Sequence, residues 1–421
     1  MRLLSVAVMA SLLPTVPAAV PAAAASAHAG TTYYVDSRSG DDSATGTSAR
    51  TPWKSLDAVN AADLKPGDTV AVKRGSSFTG SLTLAAKGTP ARPITVTAYG
   101  KGPLAKITGT DEDCVVVSGD HWRIGGLRAS GCRWAGFRVE GRGNQLSGVQ
   151  ADRNIAGVQV IGSRNIVRDS VLTGNDRMSV NDVGGDNDSG AFGVLLNGDD
   201  NVVAGNTITG SFARSADYGA DGAAVEVFNG DRNLIVRNVS RDNETFTELG
   251  AEKGRTAAGN VFAFNVVTSS RSRGSFLITR GPRHVVGPVM GTVAVHNSVY
   301  LPARDTVGWS CHDGCSPAIL KLRNNVIVVG GEAGWEDGQG ADDDANVYRG
   351  RIRFKLGPKS VVADPKFVSR ADLRLRPGSP ALGRGVPLGG AWFGGGRARP
   401  KDVQGRELDG TPDAGAYQSG R

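Results

Sequence analysis

The sequence predicts an all-β chain wound as a parallel β-helix, and three observations carry that reading. An Asn-apolar phrase recurs as Asn165-Ile166-Val167, Asn201-Val202-Val203, Asn233-Leu234-Ile235, Asn260-Val261-Phe262 and Asn325-Val326-Ile327. Three of these phrases carry a second Asn five residues on, at Asn206, Asn238 and Asn265. The intervals from Asn144 through Asn165, Asn201 and Asn233 to Asn260 are 21, 36, 32 and 27 residues. A ~20–30-residue period of β-rich phrases bounded by Gly, Asn and Asp marks a solenoid. No ~10-residue apolar run of helical spacing interrupts the phrases, so strands and turns alone make the repeat. The competing architecture is a β-sandwich with Asn-rich turns.

Residues 1–29 read as a secretory signal. Arg2 precedes the apolar run Leu3 to Val16, and Ala27-His28-Ala29 closes it in the A-x-A manner, placing cleavage near Ala29. Pro14 and Pro17 interrupt the apolar run, and a membrane anchor needs roughly 20 unbroken apolar residues. A secreted protein without membrane attachment is expected.

Residues 30–84 form an entry unit. Tyr33-Tyr34-Val35 is a strand, Gly40 to Trp53 a turn-rich loop, Ser55 to Asn60 a short helix with Ser55 as N-cap, and Val70-Ala71-Val72 a second strand. A solenoid must cover its first rung, so the helix is expected to serve as the N-terminal cap. Residues 85–330 are the coils, with strand phrases such as Cys114 to Val117, Gly157 to Val160, Gly193 to Leu196 and Ala224 to Val227. An Asn at a recurring corner can stack on its neighbour one rung away, amide to amide, and tolerates left-handed backbone. The two long intervals exceed a basic coil by ten to fifteen residues, placed in Asn175–Gly190 and Phe212–Ala220. Insertions leaving one face of successive coils build groove walls. Residues 331–421 read as final coils and a C-terminal cap, with short strands at Asp364–Phe367, Leu373–Pro377 and Gly415–Tyr417.

Glycine at 59 of 421 residues suits a chain that turns every few positions. The four cysteines fit an oxidising compartment, paired as Cys114–Cys132, about one coil apart, and Cys311–Cys315. A zinc site at Cys311, His312 and Cys315 is the alternative, but a closed site wants four ligands. The formal charge of +7 falls to +6 once Arg2 leaves, which favours acidic partners such as uronate polysaccharides. No polybasic run or aromatic-basic interleaving is present, so nucleic acid is not expected as a partner. A monomer is expected.

The chemistry concentrates in acids one coil apart. Asp221 to Glu244 is 23 residues and Glu226 to Glu248 is 22. Stacked rungs lie ~4.8 Å apart, so these carboxylates are expected on one outer face beside the insertions. Crowded like charges raise one another's pKa unless a cation sits between them. Either a Ca²⁺ site or an acid/base pair would make use of that. Glu244, Phe246 and Glu248 share strand parity, so a turn must intervene if Phe246 is buried.

The signal, the Asn ladder and the closing Gly415-Ala416-Tyr417 resemble secreted right-handed parallel β-helix proteins of the pectate-lyase-like superfamily. A narrower part resembles calcium-dependent pectate lyases that carry Ala-Asp-Gly on one coil and Asp-Asp-Gly-x-Asp on the next. Ala220-Asp221-Gly222 matches the first motif, and Glu244-Thr245-Phe246-Thr247-Glu248 matches the second in part. The place of that family's catalytic Lys holds Leu277, in Gly274-Ser275-Phe276-Leu277-Ile278. The resemblance implies a polysaccharide lyase in which Ca²⁺ held by Asp221, Glu244 and Glu248 acidifies the proton alpha to a uronate carboxylate. Lys253 is the substitute base, and Arg271, Arg273, Arg280 and Arg283 form a clamp for an acidic sugar. The alternatives are a glycoside hydrolase whose acid and base or nucleophile are Asp221 or Glu226 with Glu244, and a non-catalytic glycan-binding solenoid.

Lesser signals are weaker. Asp186 to Gly190 has the alternating oxygens of a calcium loop without its later bidentate Glu. Asp342-Asp343-Asp344 reads as a solvated turn, and His284, His296 and His312 show no metal spacing. No phosphate loop or dinucleotide fingerprint occurs.

Overall fold

The computed structural model describes residues 29–109, 111, 113–185, 187–395, 401–408 and 410–419. The expected export signal, save Ala29, lies outside these residues. The described chain winds as a right-handed parallel β-helix. One face is a sheet of 12 parallel strands running from Thr32–Val35 to Asp342–Asp344. Along it Val70, Val96, Ile124, Leu146, Val167, Val203, Ile235, Phe262, Ala294 and Leu322 are register partners in succession. All ten are buried. A second inward column runs Val115, Phe137, Val158, Val194, Val225, Thr247, Leu277, Trp309. A third runs Ala129, Ala151, Leu172, Ile208, Ser240, Val267, Val299, Ile327. Each coil therefore adds one residue to each wall of a continuous core, and no coil could bury its apolar face alone.

The asparagines form two long ladders, and a shorter one joins Asn154 to Asn175. Asn144, Asn165, Asn201 and Asn233 each donate their backbone N–H to the side-chain oxygen of the next member, ending on Asn260, at 2.8–2.9 Å. Asn206, Asn238, Asn265, Asn297 and Asn325 do the same toward Asn346 at 2.7–3.0 Å. Two sequence expectations change here. Asn325 belongs to the second ladder rather than the first. The left-handed residue at each bend is not the Asn but its predecessor, as in Arg164, Asp200 and Arg232, or Arg237, Phe264, His296 and Asn324, with φ between 53° and 58°. The Asn holds the turn from the following position by receiving an N–H from the rung before it.

The helix Leu56–Asn60 forms where expected, with the Ser55 hydroxyl accepting the Ala58 N–H at 3.2 Å. Its Leu56 and Val59 are buried in the main core. Both expected disulfides are present, Cys114–Cys132 and Cys311–Cys315, with Cα separations of 5.5 and 5.4 Å. The closing segments are less regular than expected. Phe367 and Leu375 share a single antiparallel bridge, and Gly415–Tyr417 forms no strand. That segment instead lies back on the coils: the Gly415 N–H reaches Asn324 O at 2.7 Å and the Ala416 N–H reaches Ser298 Oγ at 2.9 Å. No helix among the described residues is long and apolar enough to cross a membrane.

Candidate active site

The strands Ala223–Phe228 and Thr245–Gly250 are neighbouring rungs, and their register sets Glu226 directly opposite Glu248. Val225 and Val227 point inward and are fully buried, so Glu226 faces out, and Glu248 follows it. The parity conflict at Phe246 is resolved by a bend. Phe246 and Thr247 are consecutive and both buried, and the ladder passes from Ala223–Thr245 to Val225–Thr247 without pairing Ala224 to Phe246. Phe246 stacks on Phe276 of the next rung at 5.6 Å. The extra inward residue restores outward direction at Glu248.

Asp221 enters from the inserted loop. Ala213 and Asp221 close that loop by exchanging N–H···O bonds of 2.8 and 3.0 Å. Gly222 then runs at φ 140°, and a Cβ there would lie 2.5 Å from Ser211 O, so Asp221 must be followed by glycine. The Gly222 N–H donates to Asp221 Oδ1 at 2.7 Å. The register places Glu244 opposite Gly222, one position from the expected Asp221–Glu244 match, yet the two carboxylates still feel each other's charge.

The environments of the four acids differ. Burial, then the Glu248 charge, push Asp221 up to about 7 against the Gly222 N–H, and Glu244 and Asp188 add to the rise. Burial, then Glu248 and Asp221, hold Glu226 well above the ordinary carboxylate range, with Arg280 opposing. Burial also raises Glu244, countered by the Thr245 hydroxyl at 2.6 Å and by Arg273 Nε at 3.2 Å. Glu248 is ion-paired with Arg280, whose Nη1 also holds Leu249 O at 2.8 Å.

These pairings bear on two expectations. In the expected calcium set Asp221, Glu244 and Glu248, Arg273 meets one oxygen of Glu244 and Arg280 one oxygen of Glu248. Among the described residues, Asp182, Asp188 and Asp217 each offer one carboxylate oxygen within 4.8 Å of the other two. They sit in the insertions: Asp188 accepts from Ser215 Oγ at 2.6 Å and from the Asp217 N–H at 3.0 Å, and Asp217 accepts the Gly184 N–H at 2.7 Å. The two insertions thus join into one wall, stiffened by the hairpin Met178–Val180 with Ser189–Gly190. Asp186 of the calcium-like loop lies outside the described residues.

The arginine clamp also divides. Arg273 and Arg280 serve the acids. Arg271 lies over the Phe212 ring at 4.0 Å and holds Asp242 O at 2.7 Å. Arg283 pairs with Asp337 at 3.1 Å. Lys253 is exposed in the turn after Gly250, and no hydrogen bond or ion pair ties it to the acids. Two neighbours escaped sequence reading. An apolar patch of Ile155, Phe192 and Leu195, with Trp134 and Phe228 against it, flanks Glu226 on one side, since Leu195 is its register partner. On the other side Ile278, Ser310 and Trp335 continue the row beyond Glu248. Only strand register reveals either.

No known family profile matches the chain. The solved pectate lyase Pel9A superposes over 92% of this chain and 96% of its own, with TM-score 0.64 and 17% identity. The two share the parallel β-helix fold. A GH136 lacto-N-biosidase from Eubacterium ramulus covers 79% of this chain and 67% of its own at TM-score 0.54 and 16% identity. A stretch of 82 residues is 49% identical to the lacto-N-biosidase of Bifidobacterium longum subsp. longum, amounting to 18% of this chain and 5% of that protein's length.

Proposed function

We propose that this chain is an exported glycoside hydrolase acting on a polysaccharide with retention of configuration. The observation that carries the reading is the register pair Glu226–Glu248 on the outer face, one carboxyl pushed toward its protonated form by burial and the other ion-paired with Arg280. A desolvated carboxyl facing an arginine-paired one suits the roles of acid and nucleophile. Rungs ~4.8 Å apart fit the ~5–5.5 Å separation of retaining glycosidases better than the wider inverting gap.

Glu226 donates its proton to the glycosidic oxygen as the bond to the anomeric carbon breaks. Glu248 attacks that carbon and forms a glycosyl ester. Water, deprotonated by Glu226, then displaces Glu248, returning both groups to their starting states. Asp221, raised to about 7, is partly protonated at neutral pH and in that form donates a hydrogen bond to the sugar. The alternative β-elimination is less well supported, because the buried Leu277 stands at the expected Lys place and Lys253 is exposed with no hydrogen bond or ion pair to the acids. The 82-residue stretch that is 49% identical to part of a lacto-N-biosidase favours hydrolysis. The two disulfides support export.

The test is incubation with a panel of polysaccharides and oligosaccharides. New reducing ends without the ultraviolet absorbance of an unsaturated uronate are expected, with proton NMR showing the first-formed anomer unchanged. Glu226→Gln and Glu248→Gln should each lower kcat by roughly 10²–10⁴-fold. Unsaturated products, or full activity in either variant, overturn the assignment.

A further inference from the structure

The outward row that holds Glu226 and Glu248 does not end with them. Glu248 is opposite Ile278, Ile278 opposite Ser310, and Ser310 opposite Trp335, three rungs or ~14 Å along the solenoid axis. Trp335 is partly exposed on this outer face, and its ring lies 4.7 Å from that of His312, whose Nε2 meets Ser310 Oγ at 2.9 Å. Arg353 is the next member of the row, opposite Trp335, and Arg351 lies opposite Glu332 on the same strand pair. Both guanidiniums share one carboxylate oxygen, Glu332 Oε1, at 3.0 Å each. The arginine side chains are 74% and 56% exposed and that of Glu332 only 19%. One carboxylate cannot neutralise two guanidiniums, so a positive charge remains next to Trp335 in the row. The other acids nearby are engaged elsewhere: Glu336 accepts the Ala341 and Lys355 N–H groups, and Asp337 pairs with Arg283.

We propose that Trp335, with Arg351 and Arg353, is a subsite for an anionic pyranose of the same polysaccharide whose glycosidic bond lies at Glu226 and Glu248. The indole stacks on the apolar face of the sugar ring, and the guanidiniums hold its carboxylate or sulfate in fork geometry. This assignment rests on the glycosidase reading for its substrate, and it fixes the polymer's direction along the solenoid axis. It also gives the basic charge of the chain a local purpose.

Binding is measured by calorimetry on the full chain carrying Glu248→Gln, so that cleavage is slow on the timescale of the titration. The probes are polygalacturonate, a sulfated galactan and neutral xylan. Trp335→Ala and Arg353→Gln should each weaken the better-bound anionic polymer about tenfold, with Trp335→Phe restoring most of the loss. The effect of Arg353→Gln should shrink at high salt. The relative affinities of the two anionic probes tell carboxylate from sulfate. Unchanged affinity in both variants, or equal weakening toward xylan, overturns the subsite. Turnover by the parent and its loss in Glu226→Gln judge the acid pair separately. A weakened anionic complex without any turnover leaves the subsite standing and sinks the glycosidase reading.

Discussion

The four carboxylates differ because the backbone delivers them differently. Glu226 and Glu248 ride on strands, whereas Asp221 hangs from the end of an insertion and Glu244 leans on Thr245 and Arg273. Asp221 has the most legible pH signature. Its folded pKa of about 7 lies above the ordinary 3.8, so ionisation is disfavoured in the folded state. The stability it permits is fully present below its unfolded pKa and is lost as pH rises through about 7. Asp221→Asn keeps the oxygen that receives the Gly222 N–H and removes the charge. The variant should melt higher than the parent, with a gap that widens from about pH 4 to about pH 8 and is flat above. Parallel melting curves across that range would show that this carboxyl is not desolvated. His296 has the opposite sense: burial lowers it to about 4, so folding loses stability as pH falls below its ordinary value of 6.5 toward 4.

At the level of the element, the corner is the unit that matters. Asn238 Oδ1 accepts two hydrogen bonds from Asn206, and its Nδ2 donates to Val203 O and to Asn265 Oδ1, all at 2.9–3.1 Å. Asn238→Ala leaves a buried N–H and a buried carbonyl without their partners, and should cost about 2–3 kcal/mol in urea unfolding. A loss below about 0.5 kcal/mol would mean that water replaces the amide at no penalty. The ladders were visible in the sequence because a buried side chain that must serve the same bond in every coil must recur as the same residue. The left-handed position was not, since Arg, Asp, Phe, His and Gly all occupy it and share no pattern. The coupling of Glu226 to Glu248 was readable from a 22-residue interval. The arginines that claim Glu244 and Glu248 were not, because a long side chain can reach either way along a face and spacing does not say which. The Trp335 row was hidden for a different reason: bends such as that at Phe246 change parity within a strand.

For the molecule as a whole, the tail beyond the last sheet strand is a strap. Trp392 and Phe393 cover Val261, Phe264 and Val295, Ala381 and Ala414 cover Val326 and Val347, and Leu373 and Ala416 cover Val266. A solenoid buries its interior between coils, but this one also covers apolar residues on its outside. A chain ending at Val362 should keep its β-sheet circular dichroism, bind a hydrophobic dye strongly and aggregate at concentrations where the full chain stays clear. A clear, dye-free truncated protein would show that the strap is dispensable.

The insertions leave and rejoin the coil at fixed corners, and the rungs on either side pair as if nothing had been added. Residues can therefore be gained or lost between 176 and 190 without displacing Glu226 or Glu248 by a single register step. Descendants of such a chain are free to reshape what the groove admits while inheriting its chemistry unaltered. An added residue within Ala223–Phe228 would instead turn every later side chain of that strand to the opposite face.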